Sequence, residues 1–453
     1  MKKSPIILIS ILLAISSCNT GTETNSSATI IDAPPSWTEN AVLYEMNVRQ
    51  FTKKGTFNAA AEHLPRLKNL GIDIIWLMPI YPIGEVNRKG SLGSPYAVKN
   101  YTEINPELGN AKDLKNFIDK AHNLGMKVIL DWVANHTSPD NIYLSQYPDW
   151  YEYDIYGDLV IPEDWTDVVE LNYDNAELRQ RMINDMKYWV TNFDIDGFRC
   201  DMAGMVPTSF WEEATAALDS VKPLFMLAED EQDSTLTYKA FDANYGWVMH
   251  HLMNDIAKGK RDAKDLANYI GTNMHNFEKR AYKMLFTSNH DENAWNGSEI
   301  ERLGDGVEAF AVLTYSLPGI PMMYNGQEIG LARRLKFFEK DSIQWIDNPK
   351  YSTFYRKLNA IKHSNPALAN GNNGGKVKTF ITNHPNKVLA FERTKGENCV
   401  ITIANLSDKT LELDINLKGN YKNLFTDKII TINKRLSMEP WGYYLLSPIT
   451  DNK

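Results

Sequence analysis

Ile195-Asp196-Gly197-Phe198-Arg199-Cys200-Asp201, an amphipathic run over 209–221, and Leu224-Phe225-Met226-Leu227-Ala228-Glu229 make up the stretch that decides the fold. The two outer runs are short, apolar and bounded by turn or polar residues, as buried strands are. A helical period joins them, which is the pattern of a parallel strand–helix–strand unit. Working outward, the same alternation repeats along the chain. Strand-like runs occupy 42–51, 72–80, 126–133, 195–201, 224–229, 239–245, 284–291 and 319–325. Helical periodicity fills 58–70, 111–124, 175–193, 209–221, 246–258, 308–317 and 352–363. Eight strands, most of them followed by a helix, predict an α/β fold of the (β/α)8 TIM-barrel type.

Two stretches break the alternation. Residues 135–174 follow the third strand as an insertion carrying Trp150, Tyr151, Tyr153, Tyr156 and Trp165. They lie at the barrel end whose loops build active sites. After about 371 the pattern changes to β runs at 377–381, 388–393, 400–404, 410–417 and 442–446, separated by turn residues. That reads as a C-terminal antiparallel β-sandwich. The expected organisation is a signal segment 1–17, a tether 18–36, barrel segments 37–134 and 175–371 around an inserted domain 135–174, and the sandwich 372–453.

At the N-terminus Lys2 and Lys3 precede an apolar run over 6–15 that meets Ser16, Ser17 and Cys18. A charged start, a short apolar stretch and small residues make a secretory signal, and the run is too short for a permanent bilayer span. Its Ile15-Ser16-Ser17-Cys18 ending resembles a bacterial lipoprotein signal. That resemblance implies lipidation of Cys18, anchorage in the cell envelope and, with Asn19 rather than an acid next, the outer membrane. The Ser, Thr, Asn and Gly-rich residues up to 36 read as a solvated tether. Of three cysteines, Cys200 and Cys399 fall in separate modules and read as thiols rather than a bridge. The net charge of -9, with no block of Lys or Arg, excludes a nucleic-acid partner on electrostatic grounds.

Chemistry is expected where polar residues end barrel strands. Asp201 ends the fourth strand, Glu229 the fifth and Asp291 the seventh, and 131–136 adds a polar cluster to the third. Adjacent strands lie about 4.8 Å apart, close to the roughly 5–5.5 Å between the two carboxyl groups of a retaining glycosidase. Arg199 points to the same side as Asp201 and would keep it ionised. Glu229 has no cation beside it in sequence, and a dry setting would keep it protonated. The two acids are therefore expected to shift their pKa values in opposite directions. Any one strand-end acid is as easily a cap or an ion-pair partner, the reading given to Asp230 and Glu292. Four polar clusters together are not.

Taken in order, Asp131-Trp132-Val133-Ala134-Asn135-His136, Gly197-Phe198-Arg199-Cys200-Asp201, Glu229 and Asn289-His290-Asp291 resemble the four signature regions of the α-amylase family of glycoside hydrolases. Gly319-Ile320-Pro321-Met322-Met323-Tyr324-Asn325-Gly326-Gln327-Glu328 resembles its eighth-strand motif. The resemblance implies Asp201 as nucleophile, Glu229 as general acid/base, and Asp291 as the group binding the 2- and 3-hydroxyls of the reacting glucose. It implies that His136 and His290 hydrogen-bond that glucose, that Arg199 orients Asp201, and that Tyr96 stacks on the sugar face. Trp165 and the insertion's tyrosines could extend the sugar groove or pack the insertion. Where many members carry Lys-His after the nucleophile motif, this chain has Gly204 and Met205. The usual Ca²⁺ ligand set is thus incomplete: Asn135 and Glu170 could offer oxygens, but the ion wants about six to eight. No cofactor is expected to be required. The expected activity is retaining hydrolysis of α-1,4-glucosidic bonds in starch-type glucans or maltooligosaccharides. The alternatives are a transglycosylase, an α-1,6- or sucrose-directed relative, or a non-catalytic glycan-binding lipoprotein. Three acids present with their His and Arg partners argue against the last.

Overall fold

The computed structural model describes residues 33–274, 281–346 and 348–449. The expected signal segment, Cys18 and the expected tether up to residue 32 lie outside the described residues. Each of the eight expected runs yields a strand: β1 (Leu43–Met46), β2 (Ile74–Leu77), β3 (Lys127–Val133), β4 (Gly197–Asp201), β5 (Phe225–Ala228), β6 (Ala243–Tyr245), β7 (Tyr282–Phe286) and β8 (Gly319–Tyr324). They pair in parallel in chain order, and β8 pairs with β1, closing the barrel. Side chains alternate sides along each strand. Leu43, Ile74, Trp76, Ile129, Phe225, Leu227, Met284 and Ile320 consequently fill the interior, while Phe198, Cys200 and Val128 face the helices. Gly197 sits where a Cβ would collide with the Phe225 carbonyl. A side chain there would push β4 off β5, the two strands that carry the key acids.

The expected helices form, with one division. The 58–70 run splits into Phe57–Ala61 and Leu64–Leu70, because Pro65 in the second helix's first turn has no N–H to continue the first. The 42–51 run is strand only to Met46; Val48–Phe51 is a helical turn. The Asn47 N–H leaves the ladder and donates to the Asn325 side chain at 2.8 Å. In the insertion, His136–Thr137 pairs antiparallel with Val169–Glu170.

The C-terminal strands are β9 (Lys376–Thr379), β10 (Val388–Lys395), β11 (Asn398–Asn405), β12 (Leu411–Asn423), β13 (Ile429–Met438) and β14 (Tyr443–Pro448). They form one antiparallel ladder in the order β9-β10-β11-β14-β12-β13. A bridge between Thr382 and Ile415 returns the start of β12 to the β9–β10 connection, so the sheet wraps around its own core of Val388, Ile401, Leu413, Ile432 and Leu446. The sequence reading missed β13, whose polar run Asn433-Lys434-Arg435 interrupts the apolar alternation opposite a register shift in β12.

The outer face of β10 and β11 packs on the barrel. Leu389, Phe391 and Ala404 meet Phe310 and Leu313 of the helix Val307–Ser316. Trp441 lies 5.9 Å from the Phe310 ring. Arg393 of β10 is fully buried at this junction and donates to the carbonyls of Gly375 (2.8 Å), Ser316 (3.2 Å) and Ala369 (2.7 Å). Replacing Arg393 with Met strands three buried acceptors and is expected to lower unfolding free energy by about 3–5 kcal/mol. Urea unfolding monitored by tryptophan fluorescence reads this, and a loss below about 1 kcal/mol would contradict it.

Candidate active site

The strands that position the site do so by register. Asp131 lies opposite Arg199, and Val133 opposite Asp201, across β3 and β4. Cys200 lies opposite Ala228 across β4 and β5, and the Glu229 N–H continues that ladder to the Cys200 carbonyl at 3.0 Å. Asp201 and Glu229 are therefore the next pair of neighbours above the barrel, about one interstrand spacing, ~4.8 Å, apart at the backbone.

Beneath them lies the Arg199 guanidinium, with no exposure to solvent. Its Nη1 is 2.9 Å from Asp131 Oδ1 and 2.9 Å from Asp201 Oδ1, and its Nη2 is 2.7 Å from Glu229 Oε2. Its Nε donates to the Tyr245 hydroxyl at 3.0 Å. Glu229 Oε2 also accepts from the Met202 N–H at 3.0 Å. Met202 holds a left-handed conformation with φ 43°, a strain of the kind found where a backbone group must be aimed.

A second chain of contacts starts from β1. Glu45 Oε1 meets His290 Nδ1. His290 Nε2 lies 2.9 Å from the Tyr96 hydroxyl and 3.2 Å from Asp291 Oδ2. The Tyr96 hydroxyl donates to Asp131 Oδ2 at 3.0 Å, and the Trp76 indole N–H donates to the same oxygen at 3.1 Å. Asp131 thus ties the two chains of contacts together.

Burial and charge set the protonation states. Burial would lower the His290 pKa, but Asp291 and Glu45 outweigh it and hold the imidazole well above its ordinary value, charged. Burial would raise Asp291, but the His290 charge and hydrogen bond, with Arg199, bring it below the usual carboxylate range. Burial pushes His136 down to about 3, leaving a neutral ring. Glu229 is pushed up to about 7 by burial, against the pull of Arg199. Asp201 is also raised, to about 6, because burial and the neighbouring Asp131 charge offset Arg199. The expectation of opposite shifts is therefore corrected. The guanidinium that is adjacent in sequence only to Asp201 reaches across the strands to Glu229 as well. Both acids rise, and Glu229 titrates the higher of the two.

Asp201, Glu229, Asp291, Tyr96, His136 and His290 line one cavity of about 490 Å³. Arg199 forms its floor support, and Cys18 lies outside the described residues. The Tyr96 ring is stacked 5.2 Å from His290. Trp165 also lines the cavity and packs 5.4 Å from His136, whereas Trp150 and Tyr151 are buried within the insertion and Tyr156 is exposed. Asp230 and Glu292 take the structural roles expected of them. Asp230 accepts from the Asp233 N–H at 2.7 Å, and Glu292 pairs with His250 at 3.0 Å. Cys200 and Cys399 are free thiols, the second only half-buried.

Glu45, Trp76 and Tyr245 were not singled out from sequence. Glu45 was detectable, as a lone acid inside a buried strand of Leu, Tyr and Met. Trp295, Phe337, Phe338 and Lys89 also line the cavity, and only the position of Trp295, four residues past Asp291, could have suggested it. The Asn135 carbonyl accepts from the Leu171 N–H at 3.1 Å, and Glu170 pairs opposite His136 in the insertion's hairpin. Among the described residues no group of three or more His, Cys, Asp or Glu side chains converges as a metal site, and a Cβ at Gly204 would meet Asp230 Oδ2.

The sequence matches the family profile described as alpha amylase, catalytic domain, over residues 22–152 and 149–363, and that of the maltogenic amylase C-terminal domain over 379–445. An alpha-amylase, MalA, of Haloarcula japonica is 27% identical over 390 residues, covering 83% of this chain; the chain spans 56% of that relative's length. Among solved structures, an alpha-amylase from Lactobacillus plantarum superimposes with a TM-score of 0.84 at 31% identity, covering 91% of this chain and 100% of its own. A noncanonic maltogenic alpha-amylase from Thermotoga neapolitana does so with a TM-score of 0.83 at 30% identity, covering 91% and 99%.

The raised Glu229 pKa has a stability consequence. The folded chain holds this proton more tightly than the unfolded one, so the stability it contributes is fully present below the unfolded value. It is lost as pH rises through about 7. Glu229→Gln cannot ionise and keeps that stability. Relative to the parent, the variant should gain on the order of 1–3 kcal/mol between about pH 4 and about pH 8. Urea titrations at the two pH values read the gain; an equal difference at both would contradict it.

Proposed function

The chain belongs to the α-amylase family of glycoside hydrolases, and from that premise we propose that it hydrolyses α-1,4-glucosidic bonds in starch-type glucans or maltooligosaccharides with retention of configuration. The observation that carries the proposal is the placement of Asp201 and Glu229 as register neighbours on one guanidinium, at the edge of one cavity. The short-separation geometry of a retaining pair is what adjacent strands supply. The names of its relatives, an amylase and a maltogenic amylase, support α-1,4-glucan as the substrate.

In the proposed reaction Asp201 attacks the anomeric carbon. Arg199 occupies Oδ1, so Oδ2 forms the bond. The C1–O bond to the departing sugar breaks, and its electron pair takes the proton of Glu229. Oε2 of Glu229 already accepts from the Met202 N–H and lies in ion-pair contact with Arg199, which assigns the proton to Oε1. In the second half a water gives its proton back to Glu229 and attacks C1. The ester bond breaks, its electrons return to Asp201, and the product keeps the α configuration. Asp291, held ionised, binds the 2- and 3-hydroxyls, neutral His136 and charged His290 hydrogen-bond the same glucose, and Tyr96 offers it a flat apolar face. The chemistry is routed through these side chains alone, with no metal required. Export and lipid attachment through Cys18 belong to the same proposal, supported by Lys2, Lys3, the apolar run over 6–15 and the Ser16-Ser17-Cys18 junction.

Asp201→Asn is expected to cut turnover of maltooligosaccharides by about 10⁴-fold or more while leaving the melting temperature intact; near-parental turnover in stopped reactions would remove Asp201 from its role. For the parent, the rate should rise with pH as Asp201 ionises, near 6, and fall as Glu229 loses its proton, near 7. The limbs belong to the coupled pair, so the kcat/KM profile should be a narrow bell. A profile flat across that range would contradict the assignment. Cys18→Ser, expressed in a bacterial host, should move from the membrane to the soluble fraction; a variant that stays with the membrane would overturn the anchor.

A further inference from the structure

The wall of the cavity opposite Glu229 has an unusual construction. In the proposed orientation, the bond to be broken lies at Glu229, above β5. The rest of the chain, attached through the other end of the same glucose, must leave toward loops that follow β7, β8 and β2. Three aromatic rings stand there. Trp295 follows β7, and Phe337 and Phe338 follow β8. Their centroids are 5.4 Å apart for Trp295–Phe337, 5.6 Å for Trp295–Phe338 and 5.1 Å for Phe337–Phe338. Trp295 and Asp291 line the same cavity, four residues apart in the chain.

The wall is braced from behind. The Leu92 N–H donates to the Phe338 carbonyl at 3.0 Å, and Arg49 Nη2 to the Phe337 carbonyl at 2.7 Å. The Ser91 N–H donates to Glu339 at 3.0 Å. Gly90 approaches so closely that a Cβ would sit 2.6 Å from Phe338 Cβ. In front, Lys89 Nζ lies 2.9 Å from Asp167 Oδ1. Both residues line the cavity, so this ion pair joins the loop after β2 to the insertion. Behind the three rings lies a second hollow of about 320 Å³, which shares Trp295, Phe337 and Phe338 with the first. The wall is one layer of side chains thick.

The geometry points to a stop: Trp295, Phe337 and Phe338, bolted by the Lys89–Asp167 pair, end the cavity on the non-reducing side and set how many glucose units precede the cut. This rests on the hydrolase reading above and deepens it. A cavity of about 490 Å³ is of small-ligand rather than polymer size. The enzyme therefore takes linear α-glucans by their non-reducing ends and releases short products of fixed length. Phe338→Ala joins the two hollows, and Lys89→Ala removes the bolt without opening the protein core.

Maltoheptaose labelled at its reducing end tests the stop. The parent should release short unlabelled products and leave the label on the longer remainder from the first time points. Both variants should lengthen the unlabelled product by one glucose unit, raising the ratio of the longer to the shorter by about tenfold, with Lys89→Ala serving if Phe338→Ala does not fold. Cleavage by the parent at interior bonds from the start, or identical product lengths in parent and Lys89→Ala, would overturn the stop while leaving hydrolysis standing. Untouched substrate with the parent would overturn the hydrolytic reading itself, a result distinct from either.

Discussion

One guanidinium organises this molecule's centre. Arg199 is wholly buried and bridges Asp131, Asp201 and Glu229 from three adjacent strands. Taking so many charges out of water is costly, and a buried cation is tolerable only when acids surround it and its donors are used. The barrel meets that demand through register, since the inward positions of β3, β4 and β5 rise one above another around the same space. Remove the cation and three buried carboxyl groups are left to repel each other. The fold therefore constrains the acids, and the acids constrain the fold.

Competition between burial and charge then separates roles among groups that are chemically alike. Asp291 has a charged imidazole beside it and stays ionised. Burial holds Glu229 near 7 against the pull of a cation it shares with two other carboxylates. The same competition acts on the histidines: His136, without an acid partner, is neutral, and His290, between Glu45 and Asp291, is charged. Such divergence among neighbouring titratable groups marks a site built for proton transfer. Around this centre the loops differ in kind. The acids and histidines that act on the reacting sugar in the proposed mechanism end or follow β3, β4, β5 and β7 within a few residues, whereas Tyr96 and the residues that bound the cavity come from the insertion and from long connections after β2, β7 and β8.

That difference explains what the sequence disclosed. All eight barrel strands and the main helices were legible, because apolar periodicity survives wherever a strand is buried on both faces. Asp201, Glu229, Asp291, Tyr96, His136 and His290 were legible as strand-end or motif residues, and the structure brings them to one cavity. The sharing of Arg199 by Glu229 was not legible, because it depends on a cross-strand register and not on spacing along the chain. Glu45 carried a signal, a lone acid in a buried apolar strand, but its partner His290 lies 245 residues away and only the barrel's closure brings the two together. Phe337 and Phe338 lie in a loop without periodicity, so nothing in their spacing marks them as cavity walls. In the C-terminal sheet, β13 was hidden by the polar residues opposite the irregular part of β12.

The central claim is that the carboxylate at position 201, held beside Glu229 on Arg199, bonds to the sugar. A fluorinated α-glucosyl fluoride that forms the ester quickly and loses it slowly tests this directly, with peptide mass mapping after acid quench. The account predicts a single added glycosyl mass on the peptide containing Asp201, lost again on exposure to an acceptor sugar. A label on the peptide of Glu229 or Asp291, or turnover with inversion and no adduct, would contradict it.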